Sequence, residues 1–162
     1  MLSVVPSHAV GYTGRMATFA DNRKARFDYE ILETYRAGMV LLGFEVKAIR
    51  GGKANLLGSF VLIRGDEAFW VNGTIAPYQP KNTPAGYAPD RTRKLLLTKK
   101  EIAELGGKSS KKGLTLIPLG LYTEGHKMKL EFGLAKSRRK YEKREVIKKR
   151  EFQRERQKVL RE

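Results

Sequence analysis

The chain has 162 residues, no cysteine and two histidines, and its 33 lysines and arginines against 17 aspartates and glutamates give a net charge of +16. This length allows one domain with an ordinary hydrophobic core plus appendages, and the missing cysteine excludes disulfides, zinc–thiolate sites, iron–sulfur clusters and cysteine nucleophiles. The charge predicts a polyanionic partner, either nucleic acid or an anionic membrane.

Residues 1–19 are predicted to be a disordered N-terminal extension. They have no clear hydrophobic period, contain Pro6, Gly11 and Gly14, and include a second methionine at Met16, which is consistent with an upstream start. They lack the basic-then-apolar order of a secretory signal, and no apolar run in the chain reaches the roughly 20 residues that cross a bilayer. We therefore expect a cytoplasmic protein.

Residues 20–135 are predicted to form one antiparallel β domain, because short β-prone runs alternate quickly with turns. Gly65 and Asp66 separate two apolar segments, as the turn of a tight hairpin requires. A second hairpin is expected to turn at Glu124 and Gly125. Its first strand contains Pro118, which cannot donate a hydrogen bond to the ladder and must lie at an edge or a bulge.

Helices are expected at two places in this domain. Thr98 is a plausible N-cap with Glu101 three residues later, and Gly106 can end the helix. Gly51 and Gly52 are interpreted as the C-terminal end of an earlier helix rather than as a phosphate-binding loop. About six short strands with one or two helices favour a mainly β fold, an OB-like antiparallel barrel, and such barrels hold oligonucleotides.

Motifs of catalysis are missing from the sequence. It contains no P-loop, no GxSxG nucleophile elbow and no HExxH zinc motif. His8 and His126 belong to no spaced ligand set and are expected to be exposed polar residues, so no metal or cofactor is predicted. Without a constellation of histidines and carboxylates, an RNA hydrolase is disfavoured, and we expect a binding protein rather than an enzyme.

Basic residues are interleaved with groups that stack or form hydrogen bonds in three stretches of the domain. These stretches are residues 22–29, residues 47–50 and residues 91–94. Guanidinium and ammonium groups bind phosphates, and flat side chains stack on unpaired bases, so the mixture is typical of RNA recognition. Each charge by itself is equally well explained as a solvated surface group, but the set favours RNA.

Residues 136–162 form a basic tail with thirteen lysines and arginines against five glutamates, a net charge of +8. Its few apolar residues cannot offset the entropy of ordering and its like charges repel, so the tail is predicted to be unfolded in the free protein. A helix from about residue 145 would place apolar and basic residues on one side: Val146, Lys149, Phe152, Arg156, Val159 and Leu160. That mixed stripe suits a phosphate-lined channel better than a core.

A series of ordered motifs runs through almost the whole chain. The longest is NRKARFDYEILETYRAGMVLLGFEVKAIRGGKANL over residues 22–56, followed by GSFVLI, IAPY, RTRKLLLTKKEIAEL, KGLTLIPLGLY and GLAKSRRKYEKR. Together these motifs resemble the small protein B (SmpB) family, the SsrA-binding proteins that bind tmRNA in bacterial trans-translation. The resemblance covers residues 20–162.

The resemblance implies an OB-like domain that performs no chemistry and binds the tRNA-like domain of tmRNA. With elongation factor Tu and GTP bound through the tmRNA complex, it implies delivery to the A site of a stalled ribosome. The implied RNA contacts are Asn22, Arg23, Arg26, Tyr29, Glu45, Lys47, Arg50, Asn55, Arg93, Lys94, Leu96 and Lys129. On sequence alone Leu96 would more often be a core residue. Position 36 is often acidic in the family, whereas this chain has Arg36, which removes the basis for a salt bridge expected there.

For the tail, the resemblance implies a helix that forms inside the empty mRNA channel and contacts with the 16S rRNA decoding centre, where Tyr141 stacks on a base. The implied contacts are Lys136, Arg138, Arg139, Tyr141, Lys143, Arg144, Ile147, Lys148, Lys149, Arg150, Phe152 and Arg154. One alternative stays open. A basic ribosomal or ribosome-assembly protein that binds rRNA would also combine a β domain with a basic extension.

Overall fold

The computed structural model describes residues 17–160, which form antiparallel β-strands and a few helices. The strands are β1 (Thr18–Asp21), β2 (Tyr29–Met39), β3 (Ala54–Asn55), β4 (Phe60–Arg64), β5 (Glu67–Val71), β6 (Thr74–Ile75), β7 (Arg93–Leu96), β8 (Leu114–Glu124) and β9 (Lys127–Ser137). The helices are α1 (Arg23–Asp28), α2 (Gly43–Arg50), α3 (Lys99–Ser109) and α4 (Lys140–Val159), with a 3₁₀ turn at Pro80–Asn82.

Six of the strands form a closed ring in the order β8, β4, β5, β7, β2 and β9, and β9 pairs again with β8. The pairings around this ring are antiparallel. Strand β1 is added to the edge of β8, and β3 pairs with β6 in a separate two-stranded sheet. The predicted mainly β, antiparallel fold with a few short helices is confirmed.

The two predicted hairpins are present. The first turns at Gly65 and Asp66 between β4 and β5. The second turns at Gly125 and His126, one position later than expected, because Glu124 is still paired in β8. Both glycines have a φ of 61°, in the left-handed region that favours glycine.

Pro118 lies next to an irregularity of the ladder, as its missing N–H predicts. The register between β8 and β9 shifts between Pro118 and Gly120, which leaves Leu119 as the extra residue. Leu119 is fully buried, so the shift turns an apolar side chain into the protein. A Cβ on Gly120 would lie 3.2 Å from the Ala20 carbonyl oxygen, so this position also brings β1 close to β8.

The core fills the inside of the ring. Its largest fully buried side chains include Trp70 of β5, Tyr35 of β2 and Phe132 of β9, and the rings of Tyr35 and Phe132 stack with centroids 5.7 Å apart. Gly73 lies so close to Trp70 that a Cβ on this glycine would be 1.9 Å from the indole ring. The close approach makes glycine obligatory at position 73 for this packing.

Replacing Gly73 with alanine is therefore expected to destabilise the protein. Overpacking a core typically costs about 1–3 kcal/mol, and here the obstacle is a large buried ring rather than a flexible chain end. Urea unfolding followed by the fluorescence of Trp70, the single tryptophan, measures the effect. Gly107→Ala in α3 is the control, because a Cβ there meets nothing within 4 Å. Equal urea midpoints for the two variants would contradict the packing argument.

Helix α3 begins as predicted but ends later. The Thr98 hydroxyl accepts a hydrogen bond from the Glu101 N–H at 3.3 Å, and the Thr98 N–H donates to Glu101 Oε2 at 2.8 Å. The predicted end at Gly106 is wrong, since the helix continues for about another turn. In that turn Lys108 Nζ lies 2.9 Å from Glu33 Oε2 of β2, which holds the end of the helix against the ring.

The structure also moves the limits of the body. Strand β1 includes residues 18 and 19, so the body begins inside the segment predicted to be disordered, and the rest of that prediction lies outside the described residues. At the other end β9 extends beyond Ala135 to Ser137, which pairs with Tyr29 of β2. The boundary between body and tail therefore falls after Ser137.

The tail is a helix in this structure, which differs from the unfolded segment expected for the free protein. Helix α4 begins at Lys140 rather than near residue 145, and none of its residues is buried. The Arg139 N–H donates to Glu142 Oε2 at 2.7 Å, and Lys143 Nζ lies 3.0 Å from Asp28 Oδ1 of α1. Buried apolar area does not account for this helix. The helix is instead stabilised by the capping at its start and by its contact with the body.

Candidate nucleic-acid interface

The side chains predicted to contact RNA fall into three groups. Those exposed on α1, α2 and β3 are called the end surface here: Arg23, Arg26, Lys47, Arg50 and Asn55. Those on the outside of the ring are called the outer wall: Lys94, Leu96 and Lys129. Three others are buried, namely Asn22, Glu45 and Arg93, and Tyr29 is half-buried.

Asn22 is a buried cap of α1 rather than an exposed RNA contact. Its Oδ1 accepts a hydrogen bond from the Ala25 N–H at 3.1 Å, and its Nδ2 donates to the carbonyls of Pro118 at 3.0 Å and Leu56 at 3.4 Å. These bonds fix α1 to the ring and leave the next residue, Arg23, with a side chain 92% exposed. Asn22 therefore positions the exposed arginines of α1. Helix α1 was not predicted from the sequence, although an asparagine before a short helical run is a typical N-cap signal.

The end surface continues from α2 into the segment that follows it. Lys53 donates from its backbone to the Ala48 carbonyl at 2.9 Å, and its Nζ donates to the Tyr78 carbonyl at 3.1 Å. The same ammonium lies 6.0 Å from the centroid of the Tyr78 ring. A cleft of about 470 Å³ separates this region from Lys47 and Phe44 of α2. Lys53 and Tyr78 are not among the residues predicted from the sequence to contact RNA.

A second cleft, of about 520 Å³, lies beside α1. Its lining includes the half-buried aromatic residues Tyr29 and Phe60, the hydroxyl of Thr115 and the exposed Lys24. Aromatic faces and hydroxyls next to an ammonium can stack on an unpaired base and neutralise its phosphate. This environment is consistent with the predicted role of Tyr29.

The outer wall is organised around Gly38 of β2. Leu96 of β7 and Lys129 of β9 are both paired with Gly38, so the two side chains flank a position that has none. Leu96 is 56% exposed and is not a core residue. Lys94, two residues earlier in β7, points to the same face. The structure thus places Lys94, Leu96 and Lys129 on the same outer face, where Lys94 and Leu96 are exposed and Lys129 is half-buried.

Arg36 adds a further positive charge to this outer wall. It lies two residues before Gly38 in β2, opposite Glu131 of β9, and therefore on the same face. Its guanidinium carbon is 5.4 Å from the centroid of the Tyr122 ring. A cation–π contact is therefore present at position 36, where the sequence resemblance led us to expect an acidic residue.

Glu45 and Arg93 form a buried ion pair beneath the end surface. Both side chains are fully buried, with Arg93 Nε 2.6 Å from Glu45 Oε2. Arg91 also pairs with Glu45, the Tyr87 hydroxyl donates to Glu45 Oε2 at 3.2 Å, and the Leu42 N–H donates to Oε1 at 2.9 Å. Because both side chains are fully buried, Glu45 and Arg93 cannot contact RNA directly in this conformation. They hold α2 against the loop before β7 and so position the exposed α2 residues.

The other nitrogens of the Arg93 guanidinium also donate hydrogen bonds. Its Nη1 donates to the Gly73 carbonyl at 2.9 Å and its Nη2 to the Pro89 carbonyl at 2.9 Å. The guanidinium carbon is also 5.2 Å from the centroid of the Trp70 ring. Burying an arginine this deeply is tolerable only because its charge is paired and its donors are bonded.

The pKa of the Glu45 carboxyl is below its ordinary value. Burial alone would raise this pKa, but hydrogen bonds from Arg91, the Leu42 N–H and Arg93 outweigh it. The pKa of the neighbouring Tyr87 hydroxyl is raised, first by burial and then by the charge of Glu45. Glu45 is therefore an ionised carboxylate that anchors two arginines. Arg91 and Tyr87 complete this network and were not among the predicted site residues.

Of the tail residues predicted to contact the ribosome, Lys136 lies in β9 and is exposed, and the others lie in α4 or just before it. Tyr141 is 56% exposed and Phe152 is 61% exposed, so both rings are available for stacking. Val146 is half-buried toward the body, whereas Val159 and Leu160 are exposed. The tail therefore presents aromatic and apolar groups among its basic residues.

Among residues 17–160, no set of three or more histidines, aspartates or glutamates is arranged to hold a metal ion. His126 is an exposed turn residue, and His8 lies outside this range. No helix in the described part of the chain has the length and apolar character needed to cross a bilayer.

Comparison with known proteins identifies the family. The family model described as "SmpB protein" matches residues 19–162. The chain belongs to the SmpB family. It is 55% identical to the SsrA-binding protein of Gloeobacter violaceus over 141 residues, which are 87% of this chain and 92% of that protein. It is 50% identical to the SsrA-binding protein of Magnetococcus marinus over 141 residues, covering 87% of this chain and 93% of that protein.

A solved structure also resembles this SmpB-family chain. A chain in the structure described as "tmRNA-SmpB: a journey to the center of the bacterial ribosome" superposes with a TM-score of 0.64 at 45% identity. The alignment covers 81% of this chain and 95% of the other. The family resemblance found in the sequence motifs is confirmed, and residues 19–162 include every residue of the end surface and the outer wall.

Proposed function

We propose that this chain binds SsrA RNA, the tmRNA, and acts with it on the bacterial ribosome in trans-translation. The observation that carries the proposal is the SmpB family match over residues 19–162. Relatives at 55% and 50% identity are SsrA-binding proteins, and the similar solved structure combines SmpB with tmRNA and the ribosome. The net charge of +16 is consistent with an RNA partner.

In this proposal the folded body binds the tRNA-like domain of tmRNA and catalyses no reaction. The basic groups of the end surface neutralise phosphates, and the buried Glu45–Arg93 pair keeps α2 in place. On the outer wall, Leu96 supplies an apolar contact between two ammonium groups, Lys94 and Lys129. Such a combination reads RNA by shape and backbone charge rather than by base sequence.

The tail has a separate role in the proposal. The tmRNA complex, with elongation factor Tu and GTP bound through it, enters the A site of a stalled ribosome in the cytoplasm. The tail, with its charge of +8, then contacts the 16S rRNA decoding centre and the mRNA channel. mRNA in that channel would compete for the same phosphate-lined space. The tail therefore enters only when the channel contains no mRNA. Stacking of Tyr141 on a base would contribute about 1–3 kcal/mol.

Removing two charges from the end surface is expected to weaken RNA binding at moderate salt. The Lys47→Ala/Arg50→Ala variant loses two proposed phosphate contacts. The negative slope of log K against log salt should therefore become less steep by about 2. Filter binding of SsrA RNA over a range of salt concentrations measures this slope. Lys47 and Arg50 are exposed, and the substitutions leave the core untouched.

The matched control is Lys99→Ala/Lys100→Ala, which removes the same charge from the exposed start of α3. It should change the slope much less than the α2 variant does. Equal effects of the two variants would mean that only net charge matters, and the proposed interface would be wrong. Stoichiometric presence of the protein on all purified ribosomes, stalled or not, would instead favour a ribosomal protein that binds rRNA.

A further inference from the structure

The cleft between α2 and the 3₁₀ turn combines aromatic, cationic and amide side chains, and it is called the loop cleft here. Its volume of about 470 Å³ falls within the roughly 300–1,000 Å³ of ordinary ligand pockets. Phe44 and Lys47 line it from α2. Tyr78, Gln79 and Asn82 line it from the segment that follows β6. Groups that can stack on a ring, form hydrogen bonds and neutralise a phosphate therefore meet in one place.

The α2 wall of the loop cleft is held by the buried network beneath it. Phe44 is half-buried, and its ring meets the Tyr87 ring edge-on, with centroids 4.8 Å apart and planes at 85°. The Tyr87 hydroxyl in turn lies 3.2 Å from Glu45 Oε2. The aromatic surface that Phe44 supplies is therefore fixed before a ligand arrives, which lowers the entropy cost of binding.

The opposite wall of the loop cleft is tied to the segment after α2 by Lys53. The Lys53 Nζ donates to the carbonyls of Pro77 at 3.3 Å and Tyr78 at 3.1 Å. The Lys53 carbonyl accepts a hydrogen bond from the Ala76 N–H at 3.0 Å. These three bonds hold the chain at and just before Tyr78. The Tyr78 side chain itself is 39% exposed, so its ring is accessible to a ligand.

Two amide side chains supply a polar edge to the loop cleft. Asn82 Nδ2 donates to Gln79 Oε1 at 2.7 Å, and the Asn82 N–H donates to the Gln79 carbonyl at 3.0 Å. The Thr83 hydroxyl donates to the same carbonyl at 2.8 Å, which holds the turn together. The bond between the amides uses the oxygen of Gln79 and one N–H of Asn82. The amide N–H groups of Gln79 and the amide oxygen of Asn82 can therefore face a ligand as a donor beside an acceptor, as the Watson–Crick edge of a base requires.

We infer that the loop cleft binds one unpaired nucleotide of SsrA RNA. The base packs against the rings of Phe44 and Tyr78. Its Watson–Crick edge meets the amides of Gln79 and Asn82, and the Lys47 ammonium neutralises its phosphate. The inference deepens the proposed function and rests on it, because Lys47 belongs to the end surface. The cation and the amide edge beside the aromatic rings favour a nucleotide over an apolar protein segment.

Removing the Tyr78 ring tests the stacking. Tyr78→Ala in the full chain should weaken binding of SsrA RNA by about fivefold or more, the usual effect of losing one base–aromatic stack. The slope of log K against log salt should stay that of the parent protein, because a stacked ring releases no counterions. Tyr78→Phe keeps the ring and should bind as the parent protein does. Filter binding over a range of salt concentrations measures both quantities.

The control Leu62→Ala removes an apolar side chain of similar exposure, 42%, from β4 outside the loop cleft. It should change the affinity by less than about twofold. Equal losses in Leu62→Ala and Tyr78→Ala would overturn the inference, and so would a loss in Tyr78→Phe as large as in Tyr78→Ala. A less steep salt slope in Tyr78→Ala would mean a lost phosphate contact rather than a lost stack, and would also overturn it. Equal urea midpoints of the parent and Tyr78→Ala proteins show that the fold is kept.

Photo-crosslinking identifies what occupies the loop cleft. The photoreactive amino acid p-benzoylphenylalanine, placed at position 78 of the full chain, should crosslink to one unpaired nucleotide of bound SsrA RNA, mapped by reverse transcription. The same group at position 62 should not react with that nucleotide. Crosslinks spread along a duplex, or no crosslink in a complex that has formed, would overturn the inference.

The two levels of the proposal fail in different ways. If the parent protein binds SsrA RNA and Tyr78→Ala binds it equally well, the nucleotide site is wrong and the proposed function stands. The same holds if Tyr78→Ala keeps its affinity for the RNA but loses association with stalled ribosomes, because the loop cleft would then bind a different partner. If the parent protein does not bind SsrA RNA, the proposed function and the nucleotide site are overturned together.

Discussion

Glu45→Gln is expected to lower the free energy of unfolding by about 3–5 kcal/mol, the usual cost of removing one partner from a buried ion pair. The substitution keeps the volume of the side chain but leaves the fully buried Arg93 guanidinium without its carboxylate. Arg91 loses the same partner. Denaturant unfolding followed by Trp70 fluorescence measures the loss, since the Trp70 ring packs against Arg93.

The control for Glu45→Gln is Glu67→Gln. Glu67 Oε1 also lies 2.6 Å from a cation, Lys94 Nζ, but both side chains are about half exposed. Exposed pairs contribute about 0–1 kcal/mol, so this variant should unfold close to the parent protein. A similar small loss for Glu45→Gln would mean that the buried network does not hold α2, and the positioning role given to Glu45 would fail.

The pH dependence gives a second measurement of the same carboxylate. Because the folded pKa of Glu45 is below its ordinary value, its stabilisation is present above the unfolded pKa near 4.3 and is lost as the pH falls through the folded pKa. The difference in unfolding free energy between the parent protein and Glu45→Gln should therefore shrink below about pH 4. The pKa of Glu33 is lowered by hydrogen bonds from Lys108 and Tyr35. Glu33 is present in both proteins, so its contribution cancels in the difference between their unfolding free energies.

Strand β7 shows why part of this site could not be predicted from the sequence. Arg93 and Leu95 point inward, and Lys94 and Leu96 point outward, with the alternation expected of a strand. Residue type misleads at two of these positions, since an arginine is inside and a leucine outside. The reason for the buried arginine is Glu45, which is 48 residues away in the chain. Local patterns contain no information on such a distant counter-charge.

Features that depend on neighbouring residues were predicted well. The turn at Gly65 and Asp66, the N-cap at Thr98 and the irregularity near Pro118 each follow from the backbone chemistry of a few residues. The tail helix was not expected in the free chain because its apolar content is low. Its contact with the body depends on Asp28, which becomes adjacent to Lys143 only once β9 has paired with β2.

Truncation after Ser137 is expected to leave specific binding of SsrA RNA within about threefold of the full chain, an energy of less than 1 kcal/mol, while abolishing rescue of stalled ribosomes. The cut keeps all of β9 and both proposed RNA surfaces, and it removes α4. Binding is compared with a duplex RNA of the same length, because the basic tail adds non-specific affinity. Rescue is measured as peptide transfer on ribosomes programmed with mRNAs of increasing length beyond the A site.

The matched variant for this truncation is Ile147→Pro, which keeps every charge of the tail but breaks α4, since an interior proline costs a helix about 3 kcal/mol. The Ile147 side chain is 43% exposed, so the body is unaffected. Because the proposal requires a helical tail in the vacant channel, this variant should fail on short messages as the truncated chain does, although its net charge is unchanged. Full rescue by Ile147→Pro would mean that the tail acts by charge alone. An equal loss of RNA affinity and rescue in the truncated chain would mean that body and tail do not have separate roles.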